Sequence, residues 1–148
     1  LGGMYARVIA QRRSDDIRQV ITLGTPFRVT AEDGGKGAIG RMYLKLNPDA
    51  STNPLMASGL ARLPTPVPST SIYSTRDGIV PWASCVEQCD ARHENIRVHG
   101  SHCGMTYNPL ILAIVAERLG QREHAWRPFR PSGLNAVLSR PICDPAAA

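Results

Sequence analysis

Asp77 and His102 carry the side chains of this chain best suited to act together on a reaction. A histidine held by an ionised carboxylate can take the proton of a serine hydroxyl and hand it to a leaving group. The carboxylate sets the imidazole tautomer and stabilises the imidazolium that forms. A third fragment of the same chemistry stands at the start of the chain. Leu1-Gly2-Gly3-Met4-Tyr5-Ala6 reads as the second half of a nucleophile elbow, Gly-x-Ser-x-Gly, whose serine would come immediately before Leu1. Gly2 then occupies the place two residues after the serine, where a small residue lets a strand turn sharply into a helix. On this reading the chain holds the acid, the base and much of the pocket of a serine hydrolase without its nucleophile, and alone it is expected to be inactive.

Each assignment has a plainer rival. Asp77 in Arg76-Asp77-Gly78 could be a turn former, because Asp-Gly favours turns through local hydrogen bonds; the strand before it and His102 after it favour the catalytic role. His99 competes with His102 for the base, but its period-two placement after Ile96-Arg97-Val98 leaves it within a strand. His93 and His124 lie among charged residues and are expected to be solvated. Ser101 is a tempting nucleophile, yet Gly100-Ser101-His102 lacks the strand, elbow and helix that such a serine needs.

The elements that must position these groups follow from periodicity. Residues 4–12 place apolar side chains at Met4, Tyr5, Val8 and Ile9, the spacing of a helix packed on one face. Residues 17–23 are β-branched and apolar and stop at Gly24-Thr25-Pro26, which predicts a buried parallel strand ending in a pocket loop. Residues 28–68 lose regularity through Gly34-Gly35-Lys36-Gly37 and close on Pro64-Thr65-Pro66-Val67-Pro68, the pattern of an insertion or lid over a site. The glycines are not a phosphate loop, since the lysine is not followed by Ser or Thr. Residues 70–74 and 95–99 predict two further strands, ending just before Asp77 and His102, and residues 81–89 a short helix between them. Residues 109–119 predict a strong helix with Asn108 as N-cap, Pro109 in its first turn and Gly120 as its stop. This alternation argues an α/β fold with a parallel sheet. It divides into residues 1–120, with the 28–68 insertion, and a proline-rich tail, 121–148, expected to be surface-draped or disordered.

Composition bounds the partners. The net charge of +5 is spread along arginines from Arg7 to Arg127 rather than gathered with aromatics, so it reads as a solvated surface and not as a nucleic-acid interface. No apolar run is long enough to cross a bilayer. The four cysteines show no CxxC pair and no metal-ligand spacing, and nothing calls for a metal or another cofactor. Cys85 and Cys89 would share a helical face, so a bridge from either to Cys103 and separate buried thiols both stay open. The chain starts with neither Met nor a signal peptide, as if inside a longer protein, which leaves localisation open.

The order serine, aspartate, histidine is that of the α/β-hydrolase fold. Leu1-Gly2-Gly3, Val20-Ile21-Thr22-Leu23-Gly24-Thr25-Pro26, residues 70–80 through Arg76-Asp77-Gly78, and Val98-His99-Gly100-Ser101-His102-Cys103-Gly104-Met105 resemble the C-terminal half of bacterial α/β-hydrolases of the small triacylglycerol lipase and inositol-deacylase-like type. The resemblance covers roughly residues 1 to 120. It implies Asp77 and His102 as triad acid and base, and the backbone N–H of Leu1 as an oxyanion-hole donor. The serine, the upstream strands and the other oxyanion donor are absent from the chain. By topology Thr25, Pro26, Phe27, Met105 and Tyr107 would border the pocket, and residues 79–82 could give it an apolar wall, with Trp82 alternatively in the core. Such a lining favours a small-molecule ester or lipid substrate, with oligomeric state left open. An acyltransferase or amidase of the same fold, and a noncatalytic remnant, are the competing functions.

Overall fold

The computed structural model describes residues 2–28 and 58–142. Leu1, Gly34-Gly35-Lys36-Gly37, most of the expected lid and Cys143 lie outside the described residues. Among those described, β1 (Val20–Leu23), β2 (Ser69–Ser74), β3 (His93–Val98) and β4 (Ser139–Pro141) form one sheet in that order. The first three strands run parallel and β4 returns antiparallel to β3, so the molecule is α/β with a mixed, mostly parallel sheet. Helices α1 (Gly2–Arg12) and α2 (Pro109–Leu119) cover it, and α3 (Leu134–Leu138) leads into β4.

Alternation along the strands decides which helix each residue meets, because successive side chains point to opposite faces. Val20 packs with Ala10 of α1 and Val67, while Ile72, Ile96 and Val98 pack with Ile111 and Ile114 of α2. Strand β2 is buried along its whole length despite four Ser and Thr hydroxyls and the Tyr73 hydroxyl, the last without a hydrogen-bond partner among the described residues. Burying hydroxyls costs least when they are hydrogen-bonded. Ser69 Oγ donates to Glu87 at 2.6 Å, Thr70 Oγ1 to Glu94 at 2.7 Å, and Ser71 Oγ to the Cys85 carbonyl at 2.5 Å.

Those two glutamates expose the largest departure from the sequence reading. The arginines do not all lie on a solvated surface: Arg7 and Arg118 are each 1% exposed. Arg7 pairs with Glu87, donates to the carbonyls of Ala61 (2.6 Å) and Leu63 (2.9 Å), and lies 3.9 Å over the Phe27 ring. Burial pushes the Arg7 guanidinium down to about 10, which leaves it protonated at neutral pH. On the other face Arg118 meets Glu94 at 2.8 Å and donates to the Arg127 carbonyl at 2.6 Å. Each sheet face is thus tied to its helix by a buried ion pair whose remaining valences are met by hydroxyls and carbonyls.

Other expectations are corrected locally. The strand foreseen over residues 17–23 begins only at Val20, whose N–H donates to the Pro68 carbonyl; the prolines ahead of Ser69 offer no N–H to extend the ladder. The helix foreseen over residues 81–89 is a 3₁₀ turn, Trp82–Cys85. Beyond it the Asn95 amide clamps the Glu87 backbone, accepting from its N–H and donating to its carbonyl at 2.8 Å each, so the chain runs along the sheet instead of coiling. The segment from Gln121 is not simply draped: the Phe129 ring is buried, its N–H donates to Glu94 at 2.6 Å, and β4 closes the sheet edge. His93, expected in solvent, is buried with Nε2 2.9 Å from the Thr65 carbonyl oxygen, because β3 starts two residues earlier than the pattern predicts. His124 is solvent-exposed as expected. No helix among the described residues is long and apolar enough to cross a membrane.

Cys85 and Cys103 are not bridged; the first is buried and the second exposed. Burial pushes the Cys85 thiol up to about 12, so it stays protonated and a poor nucleophile. Iodoacetamide at pH 8 is therefore expected to alkylate Cys103 in the native protein and Cys85 only after unfolding. Mass spectrometry of the two peptides checks this, and prompt native alkylation of Cys85 would contradict its burial.

Candidate active site

The C-terminal ends of parallel strands converge on one edge of an open α/β sheet, where groups from different strands can meet. Asp77 follows β2 and His102 follows β3 on that edge. Their side chains touch: His102 Nδ1 donates to Asp77 Oδ2 at 2.7 Å. The other carboxylate oxygen accepts from the backbone N–H of Ile79 at 2.8 Å and of Val80 at 2.9 Å. The Asp-Gly turn and the acid are thus one structure, since the hydrogen bonds that make the turn also aim the carboxylate. Asp77's side chain is 2% exposed and that of His102 is 31% exposed. With Nδ1–H committed to the acid, the neutral ring leaves Nε2 as its acceptor. Nε2 has no hydrogen-bond partner among the described residues.

His102 is the N-cap of the 3₁₀ helix Cys103–Tyr107, whose Met105 is buried in the main core. Asn108 ties the ends of this segment together. Its side chain accepts from Leu110 N–H at 2.9 Å, capping α2, and donates to the His99 carbonyl at 3.3 Å. Ser101 belongs to the same turn, its Oγ accepting from Gly104 N–H at 3.2 Å. His99 lies just past the end of β3, exposed and apart from the acid.

Gly24, after β1, is a site residue whose importance the sequence only hinted at. Its φ is +52°, and a Cβ there would lie 2.6 Å from Met105 Cε, 3.0 Å from Asp77 Oδ2 and 3.1 Å from His102 Nδ1. The backbone of Gly24 therefore forms the floor under the acid–base pair. Gly24→Ala is expected to cost about 1–3 kcal/mol in stability, from the left-handed backbone and the three contacts, and to part His102 from Asp77. Urea unfolding and the downfield imidazole proton resonance would report the two effects.

The expected pocket residues Thr25, Pro26, Phe27, Trp82 and Met105 fare differently from one another. Thr25 is buried against α1: a Cβ on Gly3 would overlap its Oγ1 at 2.1 Å, so only glycine lets the first turn of α1 approach this loop. Phe27 is buried beneath Arg7, Trp82 stacks on Tyr73 with centroids 6.0 Å apart, and Met105 is core. Phe27 and Met105 are packing residues, and Trp82 and Pro26 are half-buried. Their apolar character belongs to the support of the site. A groove of about 690 Å³ runs along the opposite strand edge, lined by Ile17, Gln19, Pro66, Arg92 and Trp126, and touches neither Asp77 nor His102. Among the described residues no three His, Cys, Asp or Glu side chains are grouped to hold a metal ion.

The arrangement can accept a proton at His102 Nε2 and stabilise the resulting imidazolium through Asp77. No protein-family model, curated protein or solved structure matches the chain.

Proposed function

We propose that Asp77 and His102 are the acid and base of a serine hydrolase that cleaves carboxylic esters of small-molecule or lipid type, and that the fold is the C-terminal half of an α/β-hydrolase. One observation carries the reading: a buried carboxylate, aimed by two backbone N–H groups, holds a part-exposed imidazole by Nδ1, and Nε2 has no partner among the described residues. A purely structural histidine would be expected to use both nitrogens or to be packed away.

The nucleophile in this proposal is a serine hydroxyl on the turn into α1. The Gly3–Thr25 contact supports that position, because Thr25 adjoins Gly24, and Gly24 underlies the acid–base pair. In the first step the hydroxyl proton passes to His102 Nε2 as Oγ bonds to the ester carbonyl carbon. The C–O bond to the alcohol then breaks and the alcohol leaves with that proton. Water, deprotonated in turn by Nε2, releases the acid. The backbone N–H of Leu1, the oxyanion-hole donor that the resemblance implies, would stabilise the oxyanion.

The test is covalent. Protein expressed from its natural reading frame is treated with a fluorophosphonate and the modified peptide is located by mass spectrometry. A labelled serine immediately before Leu1 is the expected result. Absence of any labelled serine in folded protein would defeat the reading and favour a noncatalytic role.

A further inference from the structure

With Phe27 and Met105 buried and Trp82 half-buried against Tyr73, two large apolar side chains remain exposed on the segments that carry the acid and the base. Ile79 is 42% exposed and Tyr107 is 83% exposed. Both are fixed to the chemistry through the backbone. The N–H of Ile79 is one of the two donors that hold Asp77 Oδ1, which ties the backbone that carries this side chain to the carboxylate. Tyr107 ends the 3₁₀ helix that His102 caps, and that helix is anchored at one end by buried Met105 and at the other by Asn108. The tyrosine ring has little rotamer freedom to lose on contact, which makes it an efficient apolar surface.

Resting on the ester-hydrolase reading, we propose that Ile79 and Tyr107 are the apolar lips of the site. They grip the non-polar tail of the substrate and set a preference for longer over shorter esters. Of the residues that sequence topology placed around the pocket, buried Phe27 and Met105 support these lips and do not meet substrate. Each methylene sheltered from water by the lips is worth roughly fourfold in kcat/KM.

The experiment uses protein expressed from its natural reading frame and two ester series. One varies the acyl group on a constant nitrophenol, acetyl against hexanoyl; the other varies the alcohol on a constant acetyl group, methyl against hexyl. Tyr107→Ser and Ile79→Ser are each expected to lower the long-to-short kcat/KM ratio by roughly tenfold in one series, which identifies the gripped tail as acyl or alkyl. Tyr107→Phe is expected to keep the wild-type ratio. Both replaced side chains are exposed, and circular dichroism checks folding. If wild type is labelled by fluorophosphonate and hydrolyses both series, but neither serine variant moves either ratio, the lips are overturned while the hydrolase reading stands. If wild type is neither labelled nor active, the hydrolase reading falls and takes the lips with it.

Discussion

If the proposed serine stands before Leu1, His102→Ala is expected to slow its labelling by a fluorophosphonate by roughly 10²–10⁴-fold, the usual worth of a positioned general base. His99→Ala is expected to label at nearly the wild-type rate. The two histidines are three residues apart, but only His102 contacts the carboxylate, while His99 is exposed and contributes its backbone carbonyl to Asn108. Asp77→Asn tests the same pair from the other side. An amide oxygen could still accept from the Ile79 and Val80 N–H groups, so the turn should survive. Its NH₂ facing Nδ1 would favour the tautomer with the proton on Nε2, and the base would be lost to the serine; the cost could approach about 10⁴-fold. Equal labelling of wild type and His102→Ala, with circular dichroism confirming the fold, would move the assignment to a structural pair.

Arg7→Ala is expected to destabilise the protein by about 3–5 kcal/mol, the usual cost of leaving one member of a buried ion pair alone. Against a total stability of order 5–15 kcal/mol this is enough to unfold much of the population. The penalty has several sources in one side chain: among the described residues Glu87 keeps only Ser69 as a side-chain partner, the Ala61 carbonyl loses its side-chain donor, the Leu63 carbonyl keeps only a long contact from Gln11, and the Phe27 ring loses its cover. Replacing both charges, Arg7→Met with Glu87→Met, is expected to cost clearly less than Arg7→Ala, because no isolated charge then stays buried. Denaturant midpoints of the single and double variants decide it. A cost under about 1 kcal/mol for Arg7→Ala would show that the pair is solvated in solution.

Local signals determined a good part of this protein. Asn108-Pro109 at one end and Gly120 at the other bound α2, because capping and proline chemistry act within a single turn. The turn at Asp77 and the strands before it and before His102 were legible for the same reason: a short β-branched run stopped by glycine needs no distant partner to be recognised. That the two residues share a sheet edge follows from strand direction, so their meeting was foreseeable from topology.

What only the tertiary structure decided depends on partners far apart in sequence. Arg7 and Glu87 are 80 positions apart, and nothing near either one announces a buried pair. Burial of an arginine is set by whether distant groups can satisfy it, which no periodicity encodes. The tail's return is of the same kind, since Phe129 and β4 are ordered by Glu94 and β3 rather than by their own proline-rich sequence. The expected pocket set mixed buried and exposed side chains, because an apolar residue beside a loop looks the same in sequence whether it faces solvent or the core. Side-chain direction separates Phe27 and Met105, buried under the site, from Ile79 and Tyr107, exposed beside it, and that direction is fixed only when the helices and loops pack against the sheet.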